Sequence, residues 1–264
     1  MATAALVALA FALGALAAPA RAQPPSGIAR PDAAQERTLS PLQLGAQLFA
    51  GNCASCHGED GRGITPTSQQ RGAGSVGAGP SLRGVGALAP DFYLRTGYMP
   101  LGDPFDQPQR SRVLLHEREI KALTAYVASL DGGPPIPSVH PAHGDLGRGR
   151  ELFTEHCAGC HQVVAQGGVV TGARVPPLED ATPVQVAEAV RIGPYLMPRF
   201  SERQISDAEL QDIVRYVQWT KHPTDRGGWG IGNLGPFPEG LVTWLIAAVV
   251  LIATCAVIGK RVSS

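Results

Sequence analysis

The chain has almost no net charge to offer, because 22 basic residues balance 22 acidic ones. No basic patch recommends nucleic acid as a partner, and no one-sided field would steer a freely diffusing protein. No apolar, β-branched run suggests a parallel sheet, which removes the usual setting of a thioredoxin-like redox pair. Methionine is scarce: Met1, Met99 and Met197 are all there are. Cysteine numbers five, and all but Cys255 are spent on one repeated pattern.

That pattern is Cys-x-x-Cys-His, at Cys53-Ala54-Ser55-Cys56-His57 and again at Cys157-Ala158-Gly159-Cys160-His161. Two thiols at this spacing reach the two vinyl groups of one porphyrin, and the adjacent His is placed to take an axial position on the iron. Each copy is the covalent attachment signal for a c-type haem, so two haem c groups are expected. A four-thiolate zinc site is the structural rival. It would have to bring together cysteines from distant halves of the chain and leave His57 and His161 without a task.

The two ends point to a membrane. Residues 2–18 are an uncharged Ala/Leu/Val/Phe run, followed by Ala20-Arg21-Ala22. Residues 1–22 therefore read as a secretory signal peptide cut after Ala22, or, since a basic leader is lacking, as an N-terminal anchor. Either exports the body, which suits thioether attachment outside the cytoplasmic membrane. Leu241 to Gly259 carries no charge and is long enough for a bilayer core of about 30 Å at about 1.5 Å per residue. Lys260 and Arg261 follow at once, so the C-terminus is expected in the cytoplasm and the haem-bearing body on the outer face of the cell membrane. Trp244 fits an interfacial aromatic, and Cys255 is a small apolar residue within the span.

Laying one haem motif over the other exposes a duplication. Gly45-Ala46-Gln47-Leu48-Phe49 precedes the first copy as Gly149-Arg150-Glu151-Leu152-Phe153 precedes the second. Glu119-Ile120, Leu123 and Tyr126-Val127 match Glu209-Leu210, Ile213 and Tyr216-Val217. The first copy carries longer loops, notably Ile64–Gly79. Two helical domains of one design are expected, over 40–131 and 145–222, joined by a Pro/Gly connector at 132–144. A second connector, 223–240, holds Trp229 and Phe237 and leads to the span at 241–259. Ser40-Pro41-Leu42-Gln43, Thr182-Pro183-Val184-Gln185 and Ser206-Asp207-Ala208-Glu209 read as capped helix starts. Apolar faces on so few short helices make a thin core, so neither domain is expected to fold without its haem.

The sixth ligand is sought among residues placed alike in the two copies. Tyr98-Met99-Pro100 and Tyr195-Leu196-Met197-Pro198 both follow a helix ending at glycine, Gly97 and Gly193. Scarcity and symmetry nominate Met99 and Met197 as axial ligands. His116, His140, His143, His156 and His222 are the rivals. His140 and His143 lie in the connector, and His156 directly precedes Cys157, too close to reach the opposite haem face. A soft thioether favours ferrous iron and closes it to peroxide or oxygen, which argues against a dihaem peroxidase. A membrane-anchored cytochrome c subunit of a periplasmic-type dehydrogenase is the other alternative.

The halves resemble class I c-type cytochromes, in which a proline carbonyl accepts from the proximal His ring. Pro80 is the counterpart in the first half; Pro176 and Pro177 compete in the second. The whole arrangement resembles the dihaem cytochrome c subunit of the actinobacterial cytochrome bc1 complex. Gly79-Pro80-Ser81-Leu82-Arg83-Gly84-Val85-Gly86, Asp145-Leu146-Gly147-Arg148-Gly149, Leu196-Met197-Pro198-Arg199-Phe200-Ser201 and Gly235-Pro236-Phe237-Pro238-Glu239-Gly240 carry the likeness. The resemblance implies a mainly α fold of two tandem cytochrome c domains plus one C-terminal transmembrane helix. It also implies a translocating quinol–cytochrome c reductase in which this chain has no quinol site of its own. Menaquinol is then oxidised at a cytochrome b subunit, a Rieske iron–sulfur subunit feeds the first haem, and the second serves an aa3-type cytochrome c oxidase.

Overall fold

Helix starts follow the local chemistry read in the sequence. The computed structural model describes residues 27–65, 79–101, 109–223 and 236–262. Its chain divides into two compact units, residues 1–135 and 136–264. The expected signal peptide, most of the Ile64–Gly79 loop, and Trp229 with most of the membrane-proximal connector lie outside the described residues.

In the first unit, a short helix α1 (Ala33–Thr38) leads to α2 (Pro41–Asn52) and the one-turn α3 (Ala54–His57). Helices α4 (Leu88–Arg95) and α5 (Glu117–Asp131) complete it. Ser40 caps α2 through a reciprocal box with Gln43, and Pro41 supplies a preset φ at the first helical position. Leu44, Leu48 and Phe49 fall on one face of α2 and are buried against Ile120, Leu123 and Val127 of α5. The two helices touch at Gly45, where any Cβ would overlap the Ala122 carbonyl. Glycine is required there because backbone meets backbone.

The second unit repeats this plan. Helix α6 (Leu146–His156) and the one-turn α7 (Ala158–His161) are followed by α8 (Pro183–Ile192) and α9 (Asp207–Lys221). Thr182 and Ser206 cap α8 and α9 by the same reciprocal box. Gly149 meets Asp212 as Gly45 meets Ala122, and a Cβ there would overlap the Asp212 carbonyl. A short antiparallel hairpin, β1 (Gly168–Val170) with β2 (Ala173–Val175), sits between α7 and α8. The sequence reading contains no strand, and three-residue strands are too short to leave a period-two pattern.

The first unit begins earlier than residue 40. Arg30 reaches Glu119 of α5 at 2.6 Å and 3.1 Å and donates to the Leu114 carbonyl at 2.8 Å. Asn52 brackets Ala29, accepting from its N–H at 2.7 Å and donating to its carbonyl at 3.0 Å. Glu119 is only 1% exposed, whereas the Arg30 side chain that pairs with it is 32% exposed, so the bridge is buried on its carboxylate side alone. Burial pushes the Glu119 carboxyl up, but Arg30 and the His116 N–H together bring it below the usual value.

The Pro/Gly connector is fastened at both ends. Gly86 donates to Gly132 at 2.9 Å and Ala87 to Pro134 at 3.1 Å, within the first unit. In the second unit Gln211 accepts from His140 N–H at 2.6 Å and donates to the Ser138 carbonyl at 3.0 Å. Beyond α9, helix α10 (Pro236–Val262) contains a stretch, Gly240–Arg261, long and apolar enough to cross a membrane, with none of its apolar window buried.

Candidate haem centres

Each haem motif begins where a core helix ends. Cys53 is the C-cap of α2, its N–H donating to the Phe49 carbonyl at 2.8 Å. Cys157 closes α6 in the same way, donating to Phe153 at 2.8 Å. The chain then makes one helical turn, in which His57 N–H reaches Cys53 and His161 N–H reaches Cys157, each at 2.9 Å. That turn sets two thiols and an imidazole at the rim of the core. The following residue needs a positive φ, supplied by Gly58 at 78° and by Gln162 at 62°.

Both imidazoles are held through one ring nitrogen. His57 Nδ1 lies 2.8 Å from the Pro80 carbonyl, and His161 Nδ1 lies 3.3 Å from that of Pro176. A carbonyl can only accept, so Nδ1 carries the proton and Nε2 is left with the lone pair a metal needs. Of the two prolines that competed in the second half, Pro176 makes the bond. Gly79 permits the approach in the first unit, since a Cβ there would stand 2.8 Å from His57 Nδ1 and 2.6 Å from the Cys56 carbonyl. Burial lowers the pKa of His161, and the Pro176 carbonyl opposes that shift.

The methionines lie on the same apolar clusters as the motifs. Cys53, Leu82 and Met99 pack against the core of the first unit. Cys157, Leu178 and Met197 belong to the corresponding cluster of the second. Of the rival histidines, His116 caps α5 with Glu119, and the His140 and His143 rings face each other at 5.5 Å. His156 lies 5.9 Å from the Phe200 ring.

Cys53 and Cys157 do not have the lowered pKa of a redox-active thiol. Burial, with a smaller push from the neighbouring thiol, raises Cys53 and Cys157 up to about 12. A reactive redox thiol has the opposite shift. The pairs lie in different compact units, and among the described residues no three His, Cys, Asp or Glu side chains converge as an ion site. Arg83, just past Pro80, has a buried Nε with no protein acceptor, a donor free for an anionic group. The residues present thus fit a covalently held haem.

One feature of both sites escaped the sequence reading. Arg95 and Arg191 each precede the glycine before the methionine segment, and each pairs with the first residue of the closing helix. Arg95 reaches Glu117 at 2.5 Å and 3.0 Å; Arg191 reaches Asp207 at 2.7 Å. The matching spacing of Glu117 and Asp207 within the duplication was the available signal.

A helix crossing closed on glycine, a Cys-x-x-Cys-His turn and a proline-held imidazole, all present twice, define a protein of two cytochrome c domains. The cytochrome c family matches residues 42–131, and the family described as cytochrome c oxidase, cbb3-type, subunit III matches residues 144–217. The cytochrome bc1 complex cytochrome c subunit of Corynebacterium diphtheriae is 34% identical over 86% of this chain and 84% of its own. The subunit of the same name from Mycobacterium bovis is 36% identical over 86% and 81%. A cbb3-type cytochrome c oxidase subunit of Azospirillum is 28% identical over 66% and 60%. This chain belongs to the family of cytochrome bc1 complex cytochrome c subunits.

Proposed function

We propose that the chain is the dihaem electron-transfer subunit of a menaquinol-oxidising cytochrome bc1 complex. One haem c is attached at Cys53 and Cys56, the other at Cys160 and Cys157. His57 with Met99, and His161 with Met197, are the axial pairs. The observation that carries this reading is the repeated imidazole–carbonyl bond, which orients Nε2 of His57 and of His161 outward from Pro80 and Pro176.

A bound haem c supplies a one-electron ferric/ferrous couple of moderately high potential under His/Met ligation. Everything else is done by the chain. Nδ1–H bonding fixes ring orientation and keeps Nε2 basic. Met99 and Met197 would supply the second iron ligand of each site and so exclude oxygen and peroxide. The Cys53 and Cys157 sulfurs, at the ends of α2 and α6, would hold the group against the core of each unit.

Membership of the family supports the partners in this reading. A Rieske iron–sulfur subunit delivers electrons to the first site, beside a cytochrome b subunit where quinol is oxidised. The second site serves an aa3-type oxidase. Helix α10 anchors the chain as a single span, with Lys260 and Arg261 on the cytoplasmic side and both haem domains outside. Extraction in mild detergent followed by mass spectrometry tests this placement. Cytochrome b and a Rieske protein should accompany the chain; recovery with a dehydrogenase, and without either of them, would contradict it.

A further inference from the structure

Arg191 and Arg95 occupy equivalent places but do different things. Arg95 Nε bonds Asp91 at 2.8 Å and its terminal nitrogens fork onto Glu117, so among the described residues each of its three nitrogens meets a carboxylate of α4 or α5. Arg191 is 11% exposed, and two of its three hydrogen bonds go to backbone carbonyls. Its Nη1 reaches the Phe200 carbonyl at 3.3 Å and the Ile205 carbonyl at 2.8 Å, while Nη2 holds Asp207.

Both carbonyls lie downstream of Met197, at the exit of the segment that carries it. Gly193, at φ 66°, turns the chain out of α8, and Met197 N–H donates back to Pro194 at 3.0 Å. The segment then folds over its own start. A Cβ on Gly193 would lie 2.6 Å from Arg199 N and 2.8 Å from the Met197 carbonyl. Phe200 N–H donates to Val190 at 2.9 Å, closing the loop one residue before Arg191. Met197 therefore sits in a short loop whose exit is tied to α8 by backbone and by Arg191, and through Arg191 to α9. In the first unit Ser111 does the tying instead, its N–H to Thr96 at 3.3 Å and its hydroxyl to the Gly97 carbonyl.

We propose that Arg191 is the positioning residue that keeps Met197 at its iron, a duty that Arg95, bonded among the described residues to carboxylates alone, does not share. The proposal rests on Met197 being the axial ligand. A guanidinium can hold two carbonyls and a carboxylate in one plane, which an ammonium cannot. Losing it frees the loop exit while leaving Cys157, Cys160 and His161 untouched.

The test uses the full chain in membranes, with Arg191→Gln, Arg191→Lys, Arg95→Gln and Met197→Ala compared. Arg191→Gln should keep both haems yet lose about half of the far-red sulfur-to-iron absorbance. One of its two redox waves should fall, and the reduced protein should bind about one CO per chain, as in Met197→Ala. Arg191→Lys should recover part of the band, and Arg95→Gln should keep all of it. A full band with both waves unmoved in Arg191→Gln overturns the proposal, as does an equal loss in Arg95→Gln. Should Arg191→Gln fail to accumulate, heating Arg191→Lys decides: its band should vanish well before its helices melt, and simultaneous loss contradicts positioning. If Met197→Ala leaves the spectrum unchanged, the ligand assignment itself fails, which is a separate and recognisable result.

Discussion

Phe153 and Tyr216 meet with ring centroids 5.3 Å apart and planes inclined by 50°. Phe49 and Tyr126 repeat the arrangement at 5.2 Å and 50°. Each pair flanks the glycine at which α2 touches α5, or α6 touches α9. The duplication seen in the sequence is therefore conserved down to the angle between two rings. What it builds is a rigid bracket directly behind the Cys-x-x-Cys-His turn.

That bracket makes the helix crossing sensitive to one methyl group. Gly149→Ala would drive a Cβ into the Asp212 carbonyl, and neither backbone can yield without parting α6 from α9. We expect a loss of about 2 kcal/mol in the second unit, comparable with other overpacked cores. Chemical denaturation followed at the haem absorbance measures it. A shift under about 0.5 kcal/mol, the ordinary size for an innocuous substitution, would contradict the crossing described here.

The two imidazoles are not held equally, and this predicts an order of potentials. The shorter Nδ1–Pro80 bond gives His57 more imidazolate character, which stabilises the ferric state. His161 has the longer bond and is 7% exposed, and a dry site disfavours the extra charge of ferric iron. The second site should therefore titrate at the higher potential, downhill from the first. In a redox titration Met99→His should depress the lower wave and Met197→His the higher one. The reverse assignment would refute the ordering.

Much of this was legible because it is local. Capping boxes at Ser40, Thr182 and Ser206 need only four adjacent residues, and the haem motif needs five. The Arg30–Glu119 pair was not legible, since its members stand far apart in sequence and no periodicity links them. The packing of residues 29 and 30 onto the first domain went unread for that reason. Choosing between Pro176 and Pro177 required the turn at the hairpin, which fixes which carbonyl faces His161. The connector looked like a spacer by composition, yet its backbone is bonded to Gly86 and Ala87 on one side and to Gln211 on the other.

Acid should find the first unit through α5. The Arg95 guanidinium beside Glu117 holds its carboxyl down to about 2 from an ordinary 4.5, and Glu119 is lowered as well. A carboxyl depressed in the folded state contributes stability that is complete above the unfolded value and lost as pH falls through the folded one. Stability should thus decline between about pH 4.5 and about pH 2. Glu117→Gln should flatten that part of the profile in an acid titration followed by ellipticity. A variant profile parallel to the parent's would rule Glu117 out as a contributor.

The account depends most on two haems being joined to this polypeptide through thioethers. Intact mass and alkaline pyridine absorbance of the full chain, purified from its native membrane, measure this directly. They should give two haems per chain, falling to one when Cys53 and Cys56 are both replaced by alanine. A parent chain carrying one haem or none would contradict it.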